Sequence, residues 1–134
     1  MIFREGTLDD LELMATLSIN HKERKLDEIA DHIYTLEHNG EILGVGGFRM
    51  IVPTCAWCWV DFSEYGVKHI RETYRVTRDW INGWAEKQGV KRLQAFVVDS
   101  PKERRLVDHL GFELESVMKH FYGDDDGLLY MRIF

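Results

Sequence analysis

The sequence predicts an α/β (α+β) domain, a mixed and mostly antiparallel sheet flanked by helices. Three observations predict it. Across 134 residues, 45% are hydrophobic and 30% charged, the balance of a soluble globular chain long enough to bury a core without a metal or disulfide. The first half carries a hairpin signal, Asn39-Gly40, between two strand-like runs. The second half alternates strand-like and helix-like periodicities, the mark of strands joined by crossover helices. The expected order is β-α-α-β-β-β-α-β-α-β-β, read as a single domain over 1–134 with no internal repeat.

Each element has a local reason. Residues 2–5 form a short strand. Thr7 and Asp10 make a capping-box arrangement ahead of an apolar stripe of Leu8, Leu11, Met14 and Leu17. Leu26, Ile29, Ala30 and Ile33 repeat at helical spacing and predict a second short helix, after the solvated charge run 21–25. Residues 34–38 and 41–51 are the hairpin strands, and Gly44, Gly46 and Gly47 predict a bend or bulge in the second. Residues 55–62 form a very aromatic strand. Ile70, Tyr74, Thr77, Ile81, Trp84 and Gln88 mark one face of a long helix from about Val67, ended by Gly89. A buried strand spans 92–98. Ser100-Pro101 caps and opens a last helix ending at Gly111, and two strands, 112–121 and 128–134, flank the turn 123–127.

Composition narrows the function classes. Seventeen basic against twenty-three acidic residues give a net charge of −6, which disfavours nucleic-acid binding. No apolar run reaches the roughly 20 residues of a membrane span. The N-terminus lacks a signal-peptide pattern, so a cytoplasmic protein is expected, without nucleic-acid or membrane partners. Cys55 and Cys58 sit on a strand, where residues three apart point to opposite faces, and no second pair completes a zinc site. They read as reduced structural cysteines. Neither the histidines nor Asp124-Asp125-Asp126 show metal-ligand spacing. Lys68, Arg71, Arg75 and Arg78 form one basic cluster, and Lys102, Arg104 and Arg105 another. Such clusters suit a small anionic ligand, and serve equally to solvate helix faces. Trp57, Trp59, Trp80 and Trp84 read as core, and His38 and His120 as sheet or surface residues that could line a groove.

The element order, together with Ser100-Pro101-Lys102-Glu103-Arg104-Arg105-Leu106-Val107-Asp108-His109-Leu110-Gly111-Phe112 after Leu93-Gln94-Ala95-Phe96-Val97-Val98, resembles the GNAT superfamily of N-acetyltransferases. The resemblance covers nearly the whole chain. It implies acetyl-CoA as co-substrate, no metal, and an amine acceptor that is a small molecule or a protein; a homodimer is allowed. Two departures stand out. Where the family carries a Gln/Arg-x-x-Gly-x-Gly/Ala phosphate loop, this chain has Ser63-Glu64-Tyr65-Gly66-Val67-Lys68-His69-Ile70-Arg71, with one glycine. The family's frequent tyrosine acid four residues before the Gly-Phe glycine is Val107, and the asparagine at that helix start is Ser100. The stretch from Cys55 onward also resembles GNAT-like proteins of short-tailed phages, one of them an internal virion protein. That implies a second reading, a catalytically degenerate structural or host-interaction protein of a host cytoplasm or virion.

The resemblance places the pantetheine along the backbone of Trp59, Val60, Asp61 and Phe62, with an oxyanion donor at the N–H of Val60 or Asp61. The anion site falls on Tyr65, Gly66, Val67, Lys68, His69, Ile70 and Arg71. Ser100 and Arg105, with Lys102 as alternative, stand near the adenosine 3′-phosphate. Asp61 and Glu64 are the candidate bases, walled by Trp57, Trp59 and Phe62, an environment that raises a carboxylate pKa. Tyr65 and Tyr122 are candidate acids.

Overall fold

The computed structural model describes residues 1–17 and 32–134. Its elements are β1 (Ile2–Glu5), α1 (Leu8–Leu17), β2 (His32–His38), β3 (Glu41–Val52), β4 (Cys55–Phe62), α2 (Glu64–Lys68), α3 (Ile70–Gln88), β5 (Arg92–Val98), α4 (Pro101–His109), β6 (Glu113–Tyr122) and β7 (Asp125–Ile133). The seven strands form one sheet in the order β1-β2-β3-β4-β5-β7-β6. The mixed, mostly antiparallel architecture is therefore as expected. Leu26, Ile29 and Ala30 of the expected second helix, and the charge run 21–25, lie outside the described residues. Ile33, counted in that helix, belongs to β2 and pairs with Gly47. The single long helix expected from Val67 is two helices, α2 and α3, parted at His69.

The described chain comprises two compact units. The first is Met1–Arg49 with Cys58–Val76. Its α1 starts on the expected capping box: Asp10 N–H donates to Thr7 Oγ1 (3.1 Å) and Thr7 N–H to Asp10 Oδ2 (2.8 Å). Asp10 is buried because it also accepts both Arg4 terminal nitrogens (2.7 and 2.9 Å) and the Thr35 hydroxyl (3.0 Å). These donors hold its carboxyl well below the usual range, the Arg4 hydrogen bonds first among them. Met14, inward on the α1 stripe, packs with Ile42, Val45 and Trp59, and Leu11 and Leu17 close over them. The β2–β3 hairpin turns at Asn39 and Gly40, both at positive φ (52° and 79°), as a two-residue primed turn requires. The register shifts between Leu36, opposite Gly44, and Glu37, opposite Ile42, so the extra residue, Leu43, lies in β3, beside its glycines. Those glycines let β3 approach β4: a Cβ on Gly44 would stand 2.6 Å from Phe62 Cδ1, and one on Gly46 2.9 Å from the Trp59 carbonyl oxygen. Gly44 thus meets 61–62 while Gly46 meets 59–60, so β3 and β4 run antiparallel, as expected.

The second unit is Met50–Trp57 with Thr77–Phe134. Here β4 and β5 run parallel, pairing Cys55 with Arg92, Ala56 with Leu93 and Trp57 with Gln94. β7 lies antiparallel to β5 and to β6. Ile81, Trp84 and Ala85 of α3, Val107 of α4 and Leu110 just after it are buried, along with Leu93, Ala95, Leu128 and Tyr130 of the sheet. Ser100 caps α4, accepting from Glu103 N–H (3.3 Å), with Pro101 at its first position. Trp59 and Trp84 are core, as expected; Trp57 and Trp80 are only half-buried, and Gln88 is exposed.

Candidate functional site

In the first unit the end of β4 and the segment after it gather most of the sequence-derived candidates. Strand alternation divides them. Phe62 points to the α3 face, its ring 6.0 Å from Tyr74, while Trp59 points to the α1 face. Asp61 shares the parity of Trp59, so Phe62 does not wall it, which corrects that part of the expectation. Trp59 is buried, and its indole Nε1 has no hydrogen-bond partner among the described residues. Val60 is half-buried beside Gly46.

Ser63 is the hinge of the segment. It is wholly buried, donates its hydroxyl to the Ile42 carbonyl (2.6 Å), and accepts Gly66 N–H on the same oxygen (3.2 Å). Its own N–H donates to Leu43 O (3.0 Å), and its carbonyl accepts Val67 N–H (3.1 Å). The first turn of α2 is thereby tied to β3, and the amides of Gly66 and Val67 are engaged within the protein. Gly66 is buried, and a Cβ there would overlap the Leu43 carbonyl oxygen. Its lack of a side chain serves helix–strand packing.

His69 ends α2 by donating its N–H to Gly66 O (3.3 Å), which also accepts the buried Thr73 hydroxyl (3.1 Å). Helix α3 begins afresh at Ile70, with Thr73 N–H on His69 O (2.9 Å). The amides lacking an intrahelical partner at its start are those of 70–72. The helix expected to start near Val67 thus starts at Ile70, after one short helix. Glu64, Val67, Lys68, His69 and Arg71 are exposed, and Tyr65 and Ile70 half-buried. The Lys68 ammonium lies 5.5 Å from the Tyr65 ring centroid. Sequence reasoning missed one juxtaposition here: the rings of His38, at the end of β2, and His69 lie 6.1 Å apart. Thirty-one positions of sequence separate them, and only the pairing of the hairpin with the α2 segment could have revealed it.

In the second unit, Ser100 is committed to capping α4, and Arg105 is exposed. Arg104 pairs with Asp99 (2.7 Å). Val107, where the resemblance looks for a tyrosine, is buried, so α4 offers no acid at that position. Tyr122 stands in a group of rings with Phe121 (4.9 Å), itself 4.8 Å from Phe96. Cys55 and Cys58 are free thiols; Cys58 is buried, which pushes its pKa up to about 12. Among the described residues no group of side chains has metal-ligand geometry, and no helix is long and apolar enough to cross a membrane.

No protein-family model matches the chain, and no curated protein matches it. Solved structures do. A Bacillus subtilis acetyltransferase in complex with CoA superposes with a TM-score of 0.77 at 17% identity, over 98% of this chain and 97% of that one. A GNAT family acetyltransferase from Elizabethkingia anophelis with acetyl-CoA bound gives 0.77 at 14% identity, over 99% and 97%. The ribosomal-protein-S18-alanine N-acetyltransferase of Escherichia coli gives 0.75 at 16%, over 98% and 92%. The chain has the fold of the GNAT acetyltransferases over its full length.

Proposed function

We propose that the protein is an acetyl-CoA-dependent N-acetyltransferase that acetylates a primary amine of a small molecule or a protein. The observation that carries this reading is the fold, which superposes on an acetyltransferase in complex with CoA and on one with acetyl-CoA bound over 98% and 99% of this chain. β4 runs on through Trp59 to Phe62, and its main chain supplies the donors and acceptors that an extended pantetheine needs. When bound, acetyl-CoA supplies the activated acetyl thioester. The N–H of Val60 or Asp61 polarises a carbonyl oxygen through a main-chain hydrogen bond. Asp61 or Glu64 accepts the proton of the attacking amine, and Tyr65 is the nearby acid candidate. The Gly66 and Val67 amides are engaged, so phosphate falls to the start of α3 and to the exposed cations Lys68 and Arg71. A thiol of pKa about 8.5 leaves as thiolate without a strong acid, so a valine at 107 is compatible with turnover.

A second reading is favoured by the same two departures, the engaged amides of α2 and the buried Val107: a catalytically silent GNAT-fold protein, structural or host-interacting in a phage. Release of free thiol from acetyl-CoA, measured across a panel of primary amines and peptide N-termini, separates the two. Amine-dependent release supports the enzyme. Its absence with every amine, together with no acetyl-CoA binding, establishes the silent protein.

A further inference from the structure

We infer that donor binding is proton-linked: His38 and His69 act as a pair of imidazolium cations toward a phosphate of the bound donor, and affinity rises as pH falls through the histidine range. The inference rests on the acetyl-CoA reading above. The two rings meet edge to face, with centroids 6.1 Å apart and planes at 70°. His38 ends β2 and is half-buried; His69 stands between α2 and α3 and is exposed. Both belong to the first unit. Lys68 directly precedes His69, and Arg71 follows two residues on, both exposed. Elsewhere this acidic chain matches cations with carboxylates: Arg4 with Asp10, Arg92 with Glu115, Arg104 with Asp99 and Lys119 with Asp126. Among the described residues no salt bridge is formed by His38, Lys68, His69 or Arg71. The cluster is not neutralised from within, which suits it to an anion.

Lysine and arginine keep their charge between about pH 5 and pH 8, whereas histidine changes its charge there. Two imidazolium rings this close repel each other, and a phosphate beside them offsets the repulsion. The anion therefore favours the protonated pair. Binding takes up protons, and by linkage added protons tighten binding. The charged neighbours on each adjoining element leave this response to the pair. In the hairpin, Glu37 is tied to Arg4 and Glu41 is exposed. On α2, Glu64 is exposed and the Lys68 ammonium lies over the Tyr65 ring. At the start of α3, Glu72 pairs with Arg75. The Asn39 amide nitrogen lies 3.4 Å from His38 Nε2, and an amide can turn to offer its oxygen to the protonated ring.

Calorimetric titration with dephospho-acetyl-CoA at about pH 5.5 and about pH 8 tests the linkage. This probe keeps the diphosphate bridge, whose charges do not titrate in that range, so a pH dependence belongs to the protein. The parent is expected to bind at least about fivefold tighter at the lower pH. His38→Gln and His69→Gln should each reduce that ratio, and the double variant should bring it within about twofold of unity. A second measurement needs no variant: the chain has six histidines, and adding the probe to the parent should raise the titration midpoints of two imidazoles followed by proton NMR. Equal affinity of the parent at both pH values, a ratio that the double variant retains, or imidazole midpoints that do not move would overturn the proposal and leave donor binding standing. No binding by the parent at either pH would remove the acetyl-CoA reading and this inference with it.

Discussion

One substitution made at two glycines should change stability in opposite directions. Gly66→Ala adds a methyl that overlaps the Leu43 carbonyl oxygen, with Phe62 Cβ at 3.5 Å. The oxygen cannot easily retreat, because it accepts Ser63 N–H at 3.0 Å and Ser63 Oγ at 3.3 Å. Moving α2 outward instead stretches the cap from Ser63 Oγ to Gly66 N–H. Overpacking of this kind costs about 1–3 kcal/mol. Losing the cap adds about 1. The better helix propensity of alanine returns about 1. The net is a destabilisation of about 2 kcal/mol, a fall in Tm of roughly 4–10 °C for a chain of this size. Gly83, exposed on α3, has nothing outside its own helix backbone within 4 Å of its would-be Cβ among the described residues. Gly83→Ala therefore keeps only the propensity gain, about 1 kcal/mol, and Tm should rise by a few degrees, roughly 3 °C. Urea unfolding followed by circular dichroism measures both. If Gly66→Ala lies within about 0.5 kcal/mol of the parent, or Gly83→Ala destabilises, the packing account of α2 and α3 is refuted.

Other outcomes follow from the same geometry. Asp61→Asn or Glu64→Gln should lower kcat by on the order of a hundredfold with acetyl-CoA affinity nearly unchanged, and lose less at high pH, where free amine accumulates; a flat response to both across pH removes the base assignment. Under native conditions a thiol reagent should modify Cys55 and spare Cys58, whose burial and pKa of about 12 withhold the thiolate; two fast equivalents would contradict the burial. Asp10 titrates lower folded than unfolded, so its stabilisation is full above its unfolded pKa near 3.9 and is lost as pH falls through that value toward the folded one. Asp10→Asn should thus cost about 2 kcal/mol at neutral pH, and its stability curve should be flatter than the parent's below about pH 4; parallel curves would contradict this.

What was legible in the sequence is what local chemistry dictates. The β4 and β5 boundaries, the Asn39-Gly40 turn and the Ser100-Pro101 helix start all rest on side chains acting on their own neighbours, and the structure has them as expected. The break at His69 was not legible, because no proline or glycine marks it. It arises from Ser63 reaching across to the Ile42 carbonyl and from Thr73 holding Gly66 O, contacts of 21 and 7 residues separation. Ile33 fits a helical spacing and a strand equally, and its pairing with Gly47 decides for the strand. Asp125 and Asp126 read as turn because they are charged. They open β7 because Asp126 accepts His120 N–H (3.2 Å) and pairs with Lys119. At the candidate site, sequence reasoning pointed to the segment 59–71. It did not foresee that Gly66 is required by the Leu43 carbonyl, since that contact exists only once β3 and α2 have packed.

The central claim is that the chain binds acetyl-CoA through β4 and the cations Lys68, at the end of α2, and Arg71, at the start of α3. Calorimetric titration of the parent and of the Lys68→Glu, Arg71→Glu double variant with acetyl-CoA, at low and high salt, tests it most directly. The account predicts one saturable site on the parent, affinity strongly reduced in the double variant, and a difference between the two that shrinks as salt rises. No heat of binding to the parent at millimolar acetyl-CoA would contradict the claim. Equal affinity of parent and double variant would contradict the placement of the phosphates.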